Sequence, residues 1–139
     1  TGSPQGGMVA GSKAQDRPRR IIGIETAHDA ATTRRAVFQS ASETAALVGL
    51  ERAVESDDVT VDERFSGPAY GLPSPETISA IRLGAELEAM ITDPVYEGKS
   101  LAGLIAMAQH GEFEEGSRVL YVHLGGAPAL DAYHAAFAA

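Results

Sequence analysis

Apolar residues fall along this chain in short runs separated by turn residues, and the runs switch between two periods. IIGIE, residues 21–25, is short, β-branched and bounded by turn signals, the pattern of a strand buried on both faces. RVLYVHL, from Arg118 to Leu124, reads the same way. Between them the period lengthens. Val37, Ala41, Ala45 and Val48 line one face of a helix that Asp29 can cap and Gly49 can end. Ser74-Pro75-Glu76 starts a second helix with a capping hydroxyl, a proline in the first turn and an acid at the positive end of the dipole, and the helix runs to about Ile91. Leu101, Leu104, Ile105 and Ala108 mark a third, closed by Gly111. A glycine-rich loop, TGSPQGGMVAG, opens the chain and leads into a short helix over Met8–Gln15, and another helix follows GGAPAL at the far end. The stretch SDDVTVDERFSGPAYGLP, residues 56–73, is irregular, with a short strand around Thr60–Arg64, and reads as a functional loop.

Strands alternating with helices predict an α/β fold with a largely parallel sheet. Two clear strands are too few for such a sheet, the strand that should feed the opening loop is missing, and residue 1 is threonine. The expectation is a piece of a larger chain. Its 139 residues and 44% hydrophobic content suit one domain with an ordinary core. With 11 Lys+Arg against 19 Asp+Glu, the net charge of -8 opposes both a nucleic-acid footprint and attraction to an anionic membrane. Small molecules or protein are the expected partners. No cysteine is present, so no thiolate site exists, and no apolar run has the length of a membrane span. The cytoplasm is the default location.

Candidate chemistry narrows by elimination. His28, His110, His123 and His134 are too dispersed for a metal site, Ser3 lacks the frame of a nucleophile elbow, and Lys13 lies too far from the glycines for a P-loop. Lys13 and Lys99 read as solvated surface lysines. What remains is the opening loop, AYGLP at 69–73, DPVYEGKS at 93–100 and HLGGAPAL at 123–130. Each alone has a plain reading. A glycine loop is a phosphate cradle or a tight turn, and a GG after a strand is often close strand-to-helix packing.

Taken together and in order, these segments, with LVGLER, VDERFSGPAYGLP, TISAIRL, TDPVYEGKS, GEFEEGSRVLYVHLGG and PAL, resemble the 1-aminocyclopropane-1-carboxylate (ACC) deaminase family over nearly the whole chain. The resemblance implies a tryptophan-synthase-β-like fold of type II, three layers in depth, with pyridoxal phosphate as cofactor, a small amino acid as substrate and a homo-oligomeric enzyme. Residues 1–139 would be the C-terminal part of the cofactor domain. The N-terminal half, with the Schiff-base lysine, would be the partner of this segment. Thr1, Gly2, Ser3 and Gln5 match the family's T-G-S-T-Q phosphate loop, while Pro4 departs from it and removes a hydroxyl and an amide donor. Gly6 stands where alanine is usual and would restore freedom to the loop. Glu97 would face the pyridine nitrogen, where a carboxylate favours the protonated ring. Tyr70 and Tyr96 would border the substrate, with Tyr96 as nucleophile or acid/base, and Leu124 would be an apolar wall. The related D-cysteine desulfhydrases carry a hydroxyl-type residue and a threonine at the positions of Glu97 and Leu124, so this pair points to the deaminase. D-cysteine desulfhydration and a non-catalytic fragment without the lysine stay open as alternatives.

Overall fold

The computed structural model describes residues 2–17, 19–27 and 29–138. The chain divides into two compact units, the division falling between Glu63 and Arg64.

The first unit contains helix α1 (Ser3–Lys13), strand β1 (Ile22–Ile24), helix α2 (Ala30–Leu47), a 3-10 turn (Ser56–Asp58) and strand β2 (Thr60–Asp62). β1 and β2 pair in parallel, Ile22 opposite Thr60 and Ile24 opposite Asp62, and Glu25 N–H extends the ladder to the Asp62 carbonyl at 2.8 Å. Parallel strands need a long crossover, and α2 supplies it. Its start follows the sequence pattern: Asp29 accepts a hydrogen bond from Thr32 N–H at 2.8 Å. Val9 and Ala10 of α1, Val37, Ala41 and Ala45 of α2, and Val54, Val59 and Val61 form one buried cluster.

α1 departs from the expected loop. It begins at Ser3, not at Met8, because Gly2 turns into the left-handed region (φ 73°) and Pro4 sits in the first turn, where a missing N–H breaks no helical bond. Gly6 is therefore helical and supplies closeness rather than loop freedom. A Cβ there would lie 2.7 Å from Ser40 Oγ and 3.1 Å from the backbone nitrogen of Ala41.

The second unit contains helices α3 (Pro75–Glu88) and α4 (Glu97–Gln109) and a 3-10 run over Ala127–Phe137 where a terminal helix was expected. Ser74 caps α3 by accepting from Thr77 N–H, and the helix stops before Ile91 because Ala89 adopts a left-handed conformation (φ 53°). Ala80, Leu101 and Ala102 are buried between the two helices, with Met90, Leu104, Ile105 and Tyr121 packed around them. Arg118–Leu124 takes no regular secondary structure and is largely exposed. A buried strand needs neighbours that take its amides and cover its side chains. No described residue pairs with this one, and Leu120 is 84% exposed.

Gly6 and Gly7 make a paired test of helix propensity against packing. Gly7 has nothing within 4 Å of its would-be Cβ, so Gly7→Ala should stabilise the protein by up to about 1 kcal/mol. Gly6→Ala should instead destabilise it, by about 1 kcal/mol or more, because the methyl meets α2 backbone. Urea unfolding of the two variants reads both signs; a stabilised Gly6→Ala would mean that α1 and α2 do not pack this closely.

Candidate active site

The segment that joins α3 to α4 is organised by Asp93. Only 1% exposed, its carboxylate accepts from Val95 N–H (2.7 Å) and Tyr96 N–H (2.9 Å) through Oδ1 and from Glu97 N–H (3.0 Å) through Oδ2. Its own carbonyl accepts from Gly98 N–H at 2.7 Å. Helix α4 begins on amides that its N-cap residue, Tyr96, leaves without a side-chain cap, and Asp93 satisfies them from outside. The GG turn closes over the same carboxylate. A Cβ on Gly126 (φ 91°) would fall 2.3 Å from Asp93 Oδ2, so glycine there lets the chain pass directly against the acid.

Glu97 is consequently fixed in the first turn of α4 and buried. Leu124 N–H donates to its Oε1 at 3.1 Å. The Tyr121 hydroxyl lies 3.1 Å from Oε2, 2.8 Å from the Glu97 carbonyl and 3.0 Å from Ser100 Oγ. Burial, followed by the Glu97 charge, pushes the Tyr121 phenol up, so that it remains a donor to the carboxylate at neutral pH. Glu97 and Leu124, distant in sequence, are thus joined by a hydrogen bond. The Leu124 side chain itself is largely exposed.

Tyr70 and Tyr96 also meet. Their hydroxyls are 2.5 Å apart and their rings pack edge to face at 5.9 Å between centroids. The hydrogen bond to Tyr70 is the main reason the Tyr96 phenol is raised to about 12, with desolvation and the charge of Asp93 acting in the same direction. At neutral pH Tyr96 therefore carries its proton.

Gly2, Ser3 and Gln5 sit at the start of α1 in the first unit, and Thr1 lies outside the described residues, as does His28. α1 has no side-chain cap, and its first helical bond runs from Gly6 N–H to the Gly2 carbonyl. The amides of Ser3 and Gln5 therefore have no acceptor inside the helix. The Gln5 side chain is engaged elsewhere: its Nε2 donates to the Thr60 carbonyl at 2.7 Å. Neither lysine is simply solvated. Lys13 pairs with Asp58 at 2.8 Å, and Lys99 is fully buried. Asp93 has no role in the sequence reading, although an Asp-Pro pair shortly before a helix is a capping signal that could have marked it. Tyr121 and Lys99 carry no such mark.

Residues 1–125 match the family described as "Pyridoxal-phosphate dependent enzyme". The chain is 55% identical over 137 residues to a 1-aminocyclopropane-1-carboxylate deaminase of Burkholderia cenocepacia, which covers 99% of the chain and 40% of that relative. It is 54% identical, again over 99% of its length and 41% of the relative's, to a protein of the same name from Bradyrhizobium diazoefficiens. The chain thus spans about 40% of the length of these curated relatives. Among solved structures, one titled "Crystal Structure Analysis of the ACC deaminase homologue" superposes with a TM-score of 0.65 at 28% identity, covering 79% of this chain and 34% of the other. The chain has the α/β, fold-type II class expected from its sequence.

Two measurements test the site. Asp93→Ala strips acceptors from three amides, each a buried or half-buried donor worth about 1 kcal/mol or more, and should destabilise the protein by at least about 3 kcal/mol in urea unfolding. Asp93→Asn, which keeps one acceptor, should lose less. Tyr70→Phe should return the Tyr96 phenol from about 12 toward its ordinary 10.0 in an NMR titration. A raised phenol favours the folded state fully below pH of about 10 and loses that contribution as pH climbs to about 12. The wild type should therefore lose more stability over that interval than the Tyr70→Phe variant does.

Proposed function

The chain belongs to the family of pyridoxal-phosphate dependent enzymes, and on that premise we propose that it is the C-terminal part of the cofactor domain of an ACC deaminase, which opens ACC to 2-oxobutanoate and ammonia. The relatives at 53–55% identity over 99% of the chain support that substrate. The observation that supports the reading within the molecule is the buried carboxylate of Glu97, held by the backbone N–H of Leu124 at 3.1 Å and by the Tyr121 hydroxyl at 3.1 Å.

Each unit, taken by itself, carries groups whose chemistry suits the cofactor. Glu97 is an acceptor whose two oxygens each take one donor, from Leu124 N–H and from the Tyr121 hydroxyl, leaving lone pairs for the protonated pyridine nitrogen. The uncapped start of α1 offers the amides of Gly2, Ser3 and Gln5 to a phosphate, with Pro4 contributing none. Pyridoxal phosphate, when bound, supplies the electron sink for the reacting carbon. Glu97 holds its carboxylate in place and favours the charged ring. Tyr96, protonated at neutral pH and hydrogen-bonded to Tyr70, would offer a proton at its hydroxyl to the substrate, and Tyr70 would border the same space. Leu124 gives the pocket an apolar edge where a threonine would offer a hydrogen bond.

The reading extends to a cytoplasmic hydrolase that works as a homo-oligomer on a small amino acid. A net charge of -8 supports a role away from nucleic acid and anionic membranes, and no helix among the described residues is long and apolar enough to cross a membrane. The exposed apolar side chains of Val119, Leu120 and Val122 support a covering partner, which in this reading is the N-terminal half of the same enzyme.

Glu97→Ser combined with Leu124→Thr, made in the full-length protein, tests the reading. ACC turnover should fall by at least about tenfold, roughly 1.4 kcal/mol in the barrier, with kcat affected more than KM, while desulfhydration of D-cysteine persists or rises. Assays of 2-oxobutanoate from ACC and of pyruvate and sulfide from D-cysteine decide it. An unmodified enzyme that prefers D-cysteine, or a double variant with intact ACC turnover, would remove the support these residues lend to the deaminase.

A further inference from the structure

Lys99 has no surface exposure, although a lysine ammonium is strongly hydrated and expensive to take out of water. A position that keeps one must use it. The ammonium lies against the loop preceding α3: Nζ donates to the Ala69 carbonyl at 3.3 Å, and Cε and Nζ are each 3.5 Å from where a Cβ on Gly67 would stand. That carbonyl has a second role. It also accepts from Leu72 N–H at 3.0 Å, the bond that closes the turn Ala69–Leu72, and Tyr70 sits at the centre of this turn beside Gly71. Lys99 itself belongs to the first turn of α4, three residues after Tyr96. One side chain therefore spans from the helix start that carries Tyr96 to the turn that carries Tyr70. On the opposite edge the turn is tied by Tyr133, whose hydroxyl donates to the Gly71 carbonyl at 2.8 Å.

We propose that Lys99 is a positioning residue for the tyrosine pair: its buried ammonium grips the turn-closing carbonyl of Ala69 and so holds the Tyr70 hydroxyl against that of Tyr96. The inference rests on the reading that these tyrosines border the substrate, and it adds to that site a cationic tie to the backbone of the turn. Its effect passes through the backbone of the turn, and loss of the ammonium releases Tyr70 before it disturbs α4.

The test is a titration of Tyr96 in the full-length protein, followed by NMR of tyrosine labelled at Cζ, with the resonance assigned by its loss in Tyr96→Phe. In Lys99→Met, which keeps length and removes charge, the Tyr96 phenol should fall from about 12 toward 10.0. Lys99→Gln, polar and shorter, should show the same fall and serves if the methionine variant does not fold. Leu101→Ala thins the packing between α3 and α4 without touching the turn, and should leave Tyr96 at about 12. A folded Lys99→Met or Lys99→Gln with Tyr96 unchanged overturns the proposal, and so does an equal fall in Leu101→Ala, which would reduce Lys99 to general stability. The readout needs no turnover. Should the unmodified enzyme fail to act on ACC, the assigned reaction falls while the titration still decides the role of Lys99.

Discussion

Asp93 accepts three backbone N–H groups while almost wholly removed from water, and the geometry of the second unit depends on that arrangement. A carboxylate at the positive end of a helix gains from the dipole as well as from the individual bonds, and charge-assisted bonds of this kind are about twice as strong as neutral ones. The consequence is positional. Tyr96 and Glu97 are the residues whose amides Asp93 holds, so the same bonds that start α4 also fix where a phenol and a carboxylate emerge from it.

Around that anchor, each polar side chain has its partner supplied by a different segment. Glu97 receives donors from the Arg118–Leu124 stretch, Tyr96 meets Tyr70 from the loop before α3, and Gly126 passes against Asp93. The same contacts raise both phenols, the hydrogen bond to Tyr70 leading at Tyr96 and burial leading at Tyr121, with the neighbouring carboxylates acting in the same direction.

Helix starts and stops were legible in the sequence because capping is local. Asp29, Ser74, Gly49 and Gly111 act within one turn of the residues they satisfy, and each lies where the pattern put it. Motif order singled out Tyr70, Tyr96, Glu97 and Leu124, and the second unit brings them together in two pairs, Tyr70 with Tyr96 and the Leu124 N–H with Glu97. The opening segment misled for a local reason too. Glycines suggested a loop, whereas a left-handed Gly2 and a first-turn Pro4 start a helix at once, and Gly6 is there for contact with α2.

By itself, then, the sequence determined the three helices α2, α3 and α4 with their caps, which depend on neighbours a few residues apart, and the family to which the chain belongs. Tertiary structure alone decided the rest. Whether RVLYVHL becomes a buried strand depends on partners that its own residues do not encode, and here it stays irregular and largely exposed. Burial of Lys99 depends on a carbonyl thirty residues away, and the protonation of Tyr96 on a hydroxyl brought to 2.5 Å by a separate turn. Burial and pKa are set by what surrounds a side chain in space, and periodicity along the chain carries no record of it.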